Sequence, residues 1–195
     1  MFTGIIKELG VIKNIIRRGL SIELVIQANL ARDLHSGDSI SVNGVCLTVT
    51  DIANDEFKVD AVAETLKKTT LGTLKIRERV NLEPPLQANQ PLGGHIVNGH
   101  IDGVGIIRKK GDGSIFEFSL PSEIRHLSKY IVEKGPIAID GISLTVVEAR
   151  DFSFTVSIIP FTLKNTTLGF KRIGDKVNLE VDIIAKYIEK VSRRG

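Results

Sequence analysis

Short runs of apolar and β-branched residues, separated by Gly, Asn and Asp, recur along the whole chain. Such runs are typical of strands. No long amphipathic helix lies between them, so the pattern predicts an all-β fold made of small antiparallel barrels. The runs cover residues 21–26, 39–49 and 57–63 in the first half, and 114–120, 137–147 and 154–159 in the second.

Helical patterns are short, with one exception at the C-terminus. Single helical turns are predicted at 28–34, 64–69, 123–130 and 161–166. In residues 183–195, the apolar side chains fall at helical spacing: Ile183, Ile184, Tyr187, Ile188 and Val191. This predicts a C-terminal α-helix with one apolar stripe. The stripe must be buried either on its own barrel or on the same helix of another subunit, and its near-heptad spacing favours self-association.

The two halves of the chain repeat each other. The sequence VNGVCLTV at 42–49 returns 97 positions later as IDGISLTV at 139–146. TLKKTTLG at 65–72 returns as TLKNTTLG at 162–169, and VNLE at 80–83 returns at 177–180. Nearer the start, GII at 4–6 and LGVI at 9–12 align with GHI at 99–101 and VGII at 104–107. The chain is therefore one module written twice, and both copies should share one fold.

The proline-rich stretch at 84–91 is predicted to link the copies, because proline disfavours both helix and sheet pairing. We place the first domain at residues 1–87, the second at 88–182 and the helix at 183–195.

Composition is that of an ordinary globular protein, with 42% hydrophobic and 25% charged residues. The single cysteine, Cys46, rules out an intrachain disulfide and favours a reducing compartment. The N-terminus lacks signal-peptide features, and the longest uncharged run, 84–101, is too polar to span a membrane. We therefore expect a cytoplasmic protein. The net charge of +3 is spread along the chain, which indicates a solvated surface rather than a nucleic-acid site.

Strand alternation suggests where a ligand could lie. Val45, Leu47 and Val49 should face one way, and Cys46 and Thr48 the other; Ser143 and Thr145 repeat the polar pair in the second copy. A small polar pair beside a glycine suits a ligand that approaches the backbone. The alternatives are an ordinary solvent-facing strand surface and, for Cys46, a small core residue.

Two histidines, His95 and His100, lie in the glycine-rich sequence GGHIVNGH at 93–100. No Cys pair or His/carboxylate cluster at ligand spacing accompanies them, so we expect no metal site. The residues taken alone predict a duplicated barrel with a possible ligand site in each copy.

As a set, the motifs resemble riboflavin synthases of the alpha-chain type, a family of duplicated lumazine-binding barrels. The resemblance runs in order along essentially the whole chain and rests on MFTGII at 1–6, NGVCLTV at 43–49, GGHIVNGH at 93–100, IDGISLTV at 139–146, IP at 159–160 and the two TTLG turns.

This resemblance implies two tandem homologous six-stranded Greek-key β-barrels and a C-terminal helix that holds a homotrimer. It implies an enzyme in which two molecules of 6,7-dimethyl-8-ribityllumazine dismutate by transfer of a four-carbon unit, the last step of riboflavin biosynthesis. No organic cofactor or metal is expected. One lumazine would bind each barrel, two per site, where the first barrel of one subunit meets the second barrel of another. Association with lumazine synthase is a further possible interaction.

The resemblance also implies site residues. Those nearest the chemistry would be Phe2, Ser39, Cys46, His100, Asp140 and Ser143. The first-barrel pocket would use Gly4, Ile5, Ile6, Cys46, Leu47, Thr48, Asp60, Ala61, Val62, Ala63, Glu64 and Thr65. The second would use Gly99, His100, Ile101, Lys134, Ser143, Leu144, Thr145, Ser157, Ile158, Ile159, Pro160, Phe161 and Thr162.

Two other readings remain. A non-catalytic lumazine- or flavin-binding protein would share the fold but lack residues from one pocket. Here all the residues expected in the pockets are present, namely Cys46, His100, Lys134, Asp140 and Ser143, which favours the enzyme. A nucleic-acid-binding barrel would need an aromatic platform and a basic groove, and the chain has only two Tyr and eight scattered Phe.

Overall fold

The computed structural model describes residues 1–111 and 114–192. They form two closed six-stranded antiparallel barrels and a C-terminal helix. The first barrel contains β1 (Glu8–Arg18), β2 (Ser21–Gln27), β3 (Ser39–Val42), β4 (Val45–Ala53), β5 (Glu56–Ala61) and β6 (Arg79–Glu83). The second contains β7 (Gly103–Lys110), β8 (Ile115–Ser119), β9 (Pro136–Ile139), β10 (Ile142–Ala149), β11 (Ser153–Ser157) and β12 (Lys176–Val181).

Helical segments are short. The α-helices are α1 (Ala63–Lys68), α2 (Pro160–Asn165) and α3 (Ile183–Ser192), and 3-10 turns occupy Asn29–Asp33, Thr70–Thr73, Ser122–Tyr130 and Thr167–Gly169. The predicted C-terminal helix is confirmed as far as Ser192, and residues 193–195 lie outside the described residues.

Both barrels have the same strand order. Around the first barrel it is β1-β2-β5-β4-β3-β6, and around the second β7-β8-β11-β10-β9-β12. In each barrel, three consecutive strands are joined by tight turns: β3, β4 and β5 in the first barrel, and β9, β10 and β11 in the second. A longer connection follows the preceding strand, β2 or β8, which pairs with the last of the three. This arrangement is a Greek key. The all-β, duplicated Greek-key prediction is confirmed.

Two of the predicted strand runs were wrong in one respect. Residues 39–49 are two strands, because Asn43 and Gly44 adopt φ values of +46° and +81° and reverse the chain between β3 and β4. Asp140 and Gly141 do the same between β9 and β10, with φ of +46° and +78°. Positive φ at both central residues is the type I′ hairpin, for which Asn-Gly and Asp-Gly are preferred.

The barrel interiors are filled with aliphatic and phenylalanine side chains. In β4, Val45, Leu47 and Val49 are buried in the first core while Thr48 is exposed, as the alternation predicts. The second core is built in the same way and includes stacked Phe118 and Phe154. A small barrel filled in this manner leaves no room for a ring-sized ligand. Any ligand must therefore bind on the outer wall.

A pseudo-twofold contact joins the barrels through two buried asparagines. Asn81 donates from Nδ2 to the carbonyl of Asp140 (2.9 Å), and Asn178 donates to the carbonyl of Asn43 (2.8 Å). The hairpin turns themselves touch, since a methyl group added to Gly44 would lie 2.6 Å from the nitrogen of Gly141. The two barrels are thus locked together by equivalent residues of the two repeats.

Candidate active site

The outer wall of the first barrel carries a polar patch on three neighbouring strands. Ser39 of β3 pairs with Thr48 of β4, and Thr48 precedes Val49, which pairs with Val59 of β5. Antiparallel pairing therefore puts Thr48 beside Asp60 on the same outer face. We call this patch, with the adjacent Cys46, the first wall site.

The second barrel repeats the arrangement with different chemistry. Thr145 pairs with Pro136 and lies beside Ser157, and Ser143 takes the place of Cys46. We call this patch the second wall site. Its strand positions match those of the first, but a proline replaces one hydroxyl and a hydroxyl replaces the thiol. Two similar surfaces can therefore hold the same ligand in different chemical surroundings.

Each wall site is bordered by a segment that reaches over from the other repeat. The amide of Cys46 donates to the carbonyl of Gly99 (2.9 Å), and the amide of Ser143 donates to the carbonyl of Gly4 (2.8 Å). Ile101 packs against the first core and Ile6 against the second. The structure therefore places residues 4–6 beside the second wall site and residues 99–101 beside the first, which is the reverse of the sequence-based grouping.

Residues 4–6 and 99–101, which we call the crossing segments, each require a glycine where they lie against the opposite barrel. Gly4 and Gly99 have φ of +78° and +79°, a region that other residues rarely adopt. A methyl group on Gly99 would lie 2.5 Å from Cβ of Cys46, and one on Gly4 would lie 2.6 Å from Cβ of Ser143. The chain segments consequently lie directly against the residues expected to contact a ligand.

Phe2 helps to fix the crossing segments. Its amide donates to the carbonyl of Val97 (2.7 Å), and the amide of Val97 donates back (3.1 Å). The ring of Phe2 is fully buried with Val97 and Ala138, and Cys46 packs against this cluster. In the single chain, Phe2 therefore lies behind the wall sites rather than on their surface.

The structure adds one polar partner to the second wall site. Nδ1 of His95 lies 2.7 Å from Oγ of Ser143. Burial lowers the pKa of His95, with a smaller opposing effect of Asp182, so the neutral imidazole is favoured. Sequence reasoning noted His95 but did not assign it to a site, because its contact with Ser143 crosses 48 residues of chain.

Asp140 was expected near the chemistry, but the structure places it at the contact between the barrels. It is fully buried, and its Oδ1 accepts the amide of Asn178. Burial raises the pKa of Asp140, against the opposing charge of Lys171 at 3.4 Å. A cleft of about 580 Å³ opens beside this contact, lined in part by Thr70 and Thr167, and it contains none of the predicted substrate-binding residues.

The segments that follow β5 and β11, including the first turn of α2, expose apolar side chains beside the wall sites. Val62, Ile159 and Phe161 are 59%, 61% and 72% exposed. Exposed apolar residues clustered at a polar patch are typical of a ligand or protein contact.

The other predicted site residues divide by burial. The side chains of Leu47, Ala61, Leu144 and Ile158 point into the cores, so only their backbone can face a ligand. The exposed or partly exposed ones are Ile5, Ala63, Glu64, Thr65, His100, Lys134, Pro160 and Thr162.

Two buried carboxylates, which sequence reasoning recorded only as part of the repeated VNLE motif, hold the crossing segments. Glu180 accepts the amides of Asn98, Gly99 and His100, and Glu83 accepts the amides of Thr3 and Gly4. Burial is the main cause that raises the pKa of Glu180 to about 7, and it also raises that of Glu83.

Within residues 1–111 and 114–192, no three His, Cys, Asp or Glu side chains are grouped closely enough to hold a metal ion. No helix in the same part of the chain is both long and apolar enough to cross a bilayer.

Comparison with known proteins identifies the repeat. A model of the lumazine binding domain matches residues 3–84 and again residues 98–182. The riboflavin synthase of Actinobacillus pleuropneumoniae is 51% identical over 191 residues, which cover 97% of this chain and 89% of that protein. That of Mycobacterium tuberculosis (strain ATCC 25618 / H37Rv) is 45% identical over 201 residues, covering 99% and 98%.

Solved structures agree on the fold. A structure of LumP with bound riboflavin superposes with a TM-score of 0.84 at 25% identity, covering 93% of this chain and all of LumP. LumP with bound 6,7-dimethyl-8-(1'-D-ribityl) lumazine superposes with a TM-score of 0.82, also at 25% identity, over 93% of this chain and 99% of LumP. Two lumazine binding domains match, and the identity to these two riboflavin synthases is 45–51% over nearly the whole chain. The chain therefore belongs to the lumazine-binding domain family and, within it, to the riboflavin synthases.

Proposed function

We propose that this chain is a transferase that converts two molecules of 6,7-dimethyl-8-ribityllumazine into riboflavin and 5-amino-6-(D-ribitylamino)uracil. The observation that carries the proposal is identity of 51% over nearly the whole chain to a riboflavin synthase. The paired wall sites support it, because a reaction between two copies of one molecule needs two similar binding surfaces.

The wall sites suit this chemistry. The lumazine ring is electron-poor, so its 7-methyl group is acidic and position 7 accepts nucleophiles. Thr48, Thr145 and backbone groups beside them can hydrogen-bond the pyrimidine edge and the ribityl chain. The protein's main contribution is to hold two rings face to face, which removes much of the entropic barrier to their reaction. His100, or a nearby hydroxyl, would assist proton transfer.

The productive site is proposed to form between subunits. The apolar side chains beside each wall site are exposed in the single chain, as at Val62 and Phe161, and a partner barrel would cover them. A homotrimer held by α3 would bring the first wall site of one subunit to the second wall site of another. Cys46, His100 and Ser143 would then lie around the paired rings, with the buried ring of Phe2 packed behind Cys46.

Cellular context is also part of the proposal. The single cysteine, Cys46, fits the reducing cytoplasm, and lumazine synthase, which would supply the substrate, is a proposed partner.

The domain boundaries are also part of the proposal. The first domain is proposed to end between residues 87 and 88, within the connection from Glu83 to Gly103, and the second between 182 and 183, where α3 begins.

The alternative is a binding protein without turnover, as LumP is solved with lumazine and riboflavin bound. LumP is only 25% identical to this chain, which favours the enzyme.

The test is to incubate purified protein with 6,7-dimethyl-8-ribityllumazine and to follow the growth of riboflavin absorbance. Steady multiple turnover is the expected result, and tight binding of the lumazine with no riboflavin formed would establish the alternative.

A further inference from the structure

Glu83 and Glu180 are equivalent buried carboxylates whose hydrogen bonds come from backbone amides and, for Glu83, one hydroxyl, rather than from a charged partner. Oε1 of Glu180 accepts the amide of Asn98 (2.7 Å), and Oε2 accepts those of Gly99 (2.9 Å) and His100 (3.1 Å). Oε1 of Glu83 accepts the amide and hydroxyl of Thr3 (both 2.7 Å). Both side chains are almost fully buried, at 3% and 2% exposed.

Burying a carboxylate is costly unless its oxygens are well satisfied by hydrogen bonds. An apolar residue would fill these positions at the ends of β12 and β6 with less penalty to folding. The same cost is accepted in both repeats, and in both the donors belong to a short turn outside the barrel. The carboxylates therefore serve the conformation of those turns.

The held turns act on the opposite barrel. Glu180 belongs to the second barrel, yet the Asn98–His100 turn that it binds presents the Gly99 carbonyl to Cys46 of the first wall site. Glu83 belongs to the first barrel, and the Thr3–Gly4 turn that it binds presents its carbonyl to Ser143 of the second.

We propose that Glu180 and Glu83 are positioning residues, each of which sets the geometry of the wall site on the barrel to which it does not belong. Glu180 would fix Gly99, His100 and Ile101 beside the first wall site, and Glu83 would fix Gly4 to Ile6 beside the second. The effect on catalysis rests on the proposed function, whereas the effect on the turns does not.

Glu180→Gln and Glu83→Gln are the direct tests. Glutamine keeps the shape, but its NH₂ group must face a backbone amide that now has no acceptor. Amide hydrogen exchange at Cys46 and Ser143 reports docking, because these two amides donate to the crossing segments. Glu123→Gln, at an exposed position on the second barrel, is the matched control.

Glu180→Gln should accelerate exchange at Cys46 by about tenfold or more and leave Ser143 within about twofold. Glu83→Gln should do the reverse, and Glu123→Gln should change neither. Equal acceleration at both amides would mean a general loss of stability, and acceleration only within the substituted barrel would mean a local role. Either result, or no change, overturns the proposal.

Gly99→Ala tests the same mechanism with the carboxylate intact. Its methyl group would lie 2.5 Å from Cβ of Cys46, so it should displace the turn and accelerate exchange at Cys46. Because both changes act through one contact, the double variant with Glu180→Gln should lose little more activity than the more affected single variant. Fully additive losses in the double variant contradict the proposal. If Glu180→Gln fails to fold, Gly99→Ala still tests it, because no acceleration of exchange at Cys46 in that variant contradicts it.

Turnover of 6,7-dimethyl-8-ribityllumazine gives the functional measurement. Glu180→Gln and Glu83→Gln should each lower kcat/KM by about tenfold or more, because misplaced rings react slowly, while Glu123→Gln keeps the wild-type value. Wild-type activity in either positioning variant overturns the catalytic part. If the wild-type protein itself makes no riboflavin, the proposed function fails, and the exchange experiment still decides the role of the carboxylates.

Discussion

Lys134 occupies a backbone position that the first repeat gives to glycine. Its φ is +63°, and the equivalent Gly37 has +97°. The amides of both donate to equivalent carbonyls, those of Val146 and Val49. A left-handed conformation costs a residue with a side chain about 1 kcal/mol or more. The second repeat accepts this cost for a cation beside the second wall site, which indicates a role for the side chain.

Lys134→Gly should therefore separate stability from activity. The free energy of unfolding should stay within about 1 kcal/mol of wild type or rise, while kcat/KM for the lumazine falls. Arg77→Gly is the matched control, since Arg77 has φ of +73° and its equivalent in the other repeat is Gly174. Urea unfolding and riboflavin formation measure the two quantities. Full activity in Lys134→Gly would remove Lys134 from the site.

The ionisation of Glu180 should give a pH-dependent stability. Its folded pKa is about 7, against an ordinary value of 4.5, chiefly because of burial; Asp102 raises it further and Lys186 and the bound amides lower it. The folded state therefore holds this proton more tightly. The resulting contribution to stability is complete below about pH 4.5 and is lost as pH rises to about 7.

Calorimetry of wild type and Glu180→Gln between pH 4.5 and 8 measures this contribution. The Tm of wild type minus that of the variant should fall between pH 4.5 and 7 and level off above. Taking the difference cancels the titration of groups common to both proteins. A constant difference across the range would show that Glu180 does not titrate there.

At the scale of elements, turns and bulges explain which strands could be predicted from hydrophobic runs and which could not. The turn residues Asn43-Gly44 and Asp140-Gly141, which favour type I′ turns, can be recognised in the sequence. The residues on both sides of each turn are apolar, however, so hydrophobicity alone predicts one strand where the structure has two. β1 and β7 were recognised only as parts of the repeat, because long or bulged strands such as β1, whose register shifts between Ile12 and Asn14, interrupt a simple alternation.

Helix α3 presents its apolar stripe outward. Ile184, Tyr187, Ile188 and Val191 are between 52% and 71% exposed. The opposite side is tied to the second barrel by the ion pair of Lys186 with Asp102 (2.6 Å) and by the contacts of Glu189 with Lys129 and Tyr130. In the single chain, the apolar stripe is therefore not buried on its own barrel.

Ile188→Asp should convert the proposed trimer into monomers without unfolding the barrels, because an aspartate in the stripe would be buried unpaired between subunits. Light scattering gives the mass and circular dichroism the fold. Lys190→Asp places the same residue on the helix outside the stripe and should remain trimeric. A trimer in both variants would mean that other surfaces hold the assembly.

At the scale of the whole molecule, Asn81 and Asn178 connect the two barrels by buried hydrogen bonds. The Oδ1 of Asn178 accepts the amide of Thr70 (2.7 Å) and its Nδ2 donates to Asn43, with Asn81 making the equivalent pair of bonds. Each asparagine thus bridges from its own barrel to the other.

Asn178→Ala should lower the free energy of unfolding by about 2–4 kcal/mol, because a buried amide and a buried carbonyl lose their partners. It should also broaden or split the urea transition as the barrels uncouple. Asn14→Ala, which removes an exposed bond to the neighbouring amide, should cost less than about 1 kcal/mol. Similar losses in the two variants would show that the bridges are dispensable.

The crossing of segments between repeats marks the limit of sequence reasoning at this scale. Gly4 and Gly99 align with each other in the repeat, so each was assigned to its own barrel. Alignment of repeats gives equivalence but not connectivity in space, and the pairing of Gly4 with Ser143 or of Gly99 with Cys46 joins residues that no local pattern relates. Residue types and strand faces could be predicted, whereas the composition of each site required the fold.

The ion pair of Asp140 and Lys171 has a consequence for how such a chain can evolve. At the equivalent positions of the first repeat stand Asn43 and Leu74, so the charge pair exists on one side of the pseudo-axis only. Two identical half-length chains related by a true twofold axis would carry either two copies of that pair or none. Fusion of the halves into one gene lets each side acquire its own substitutions, and that freedom allows an enzyme to tell two identical substrates apart.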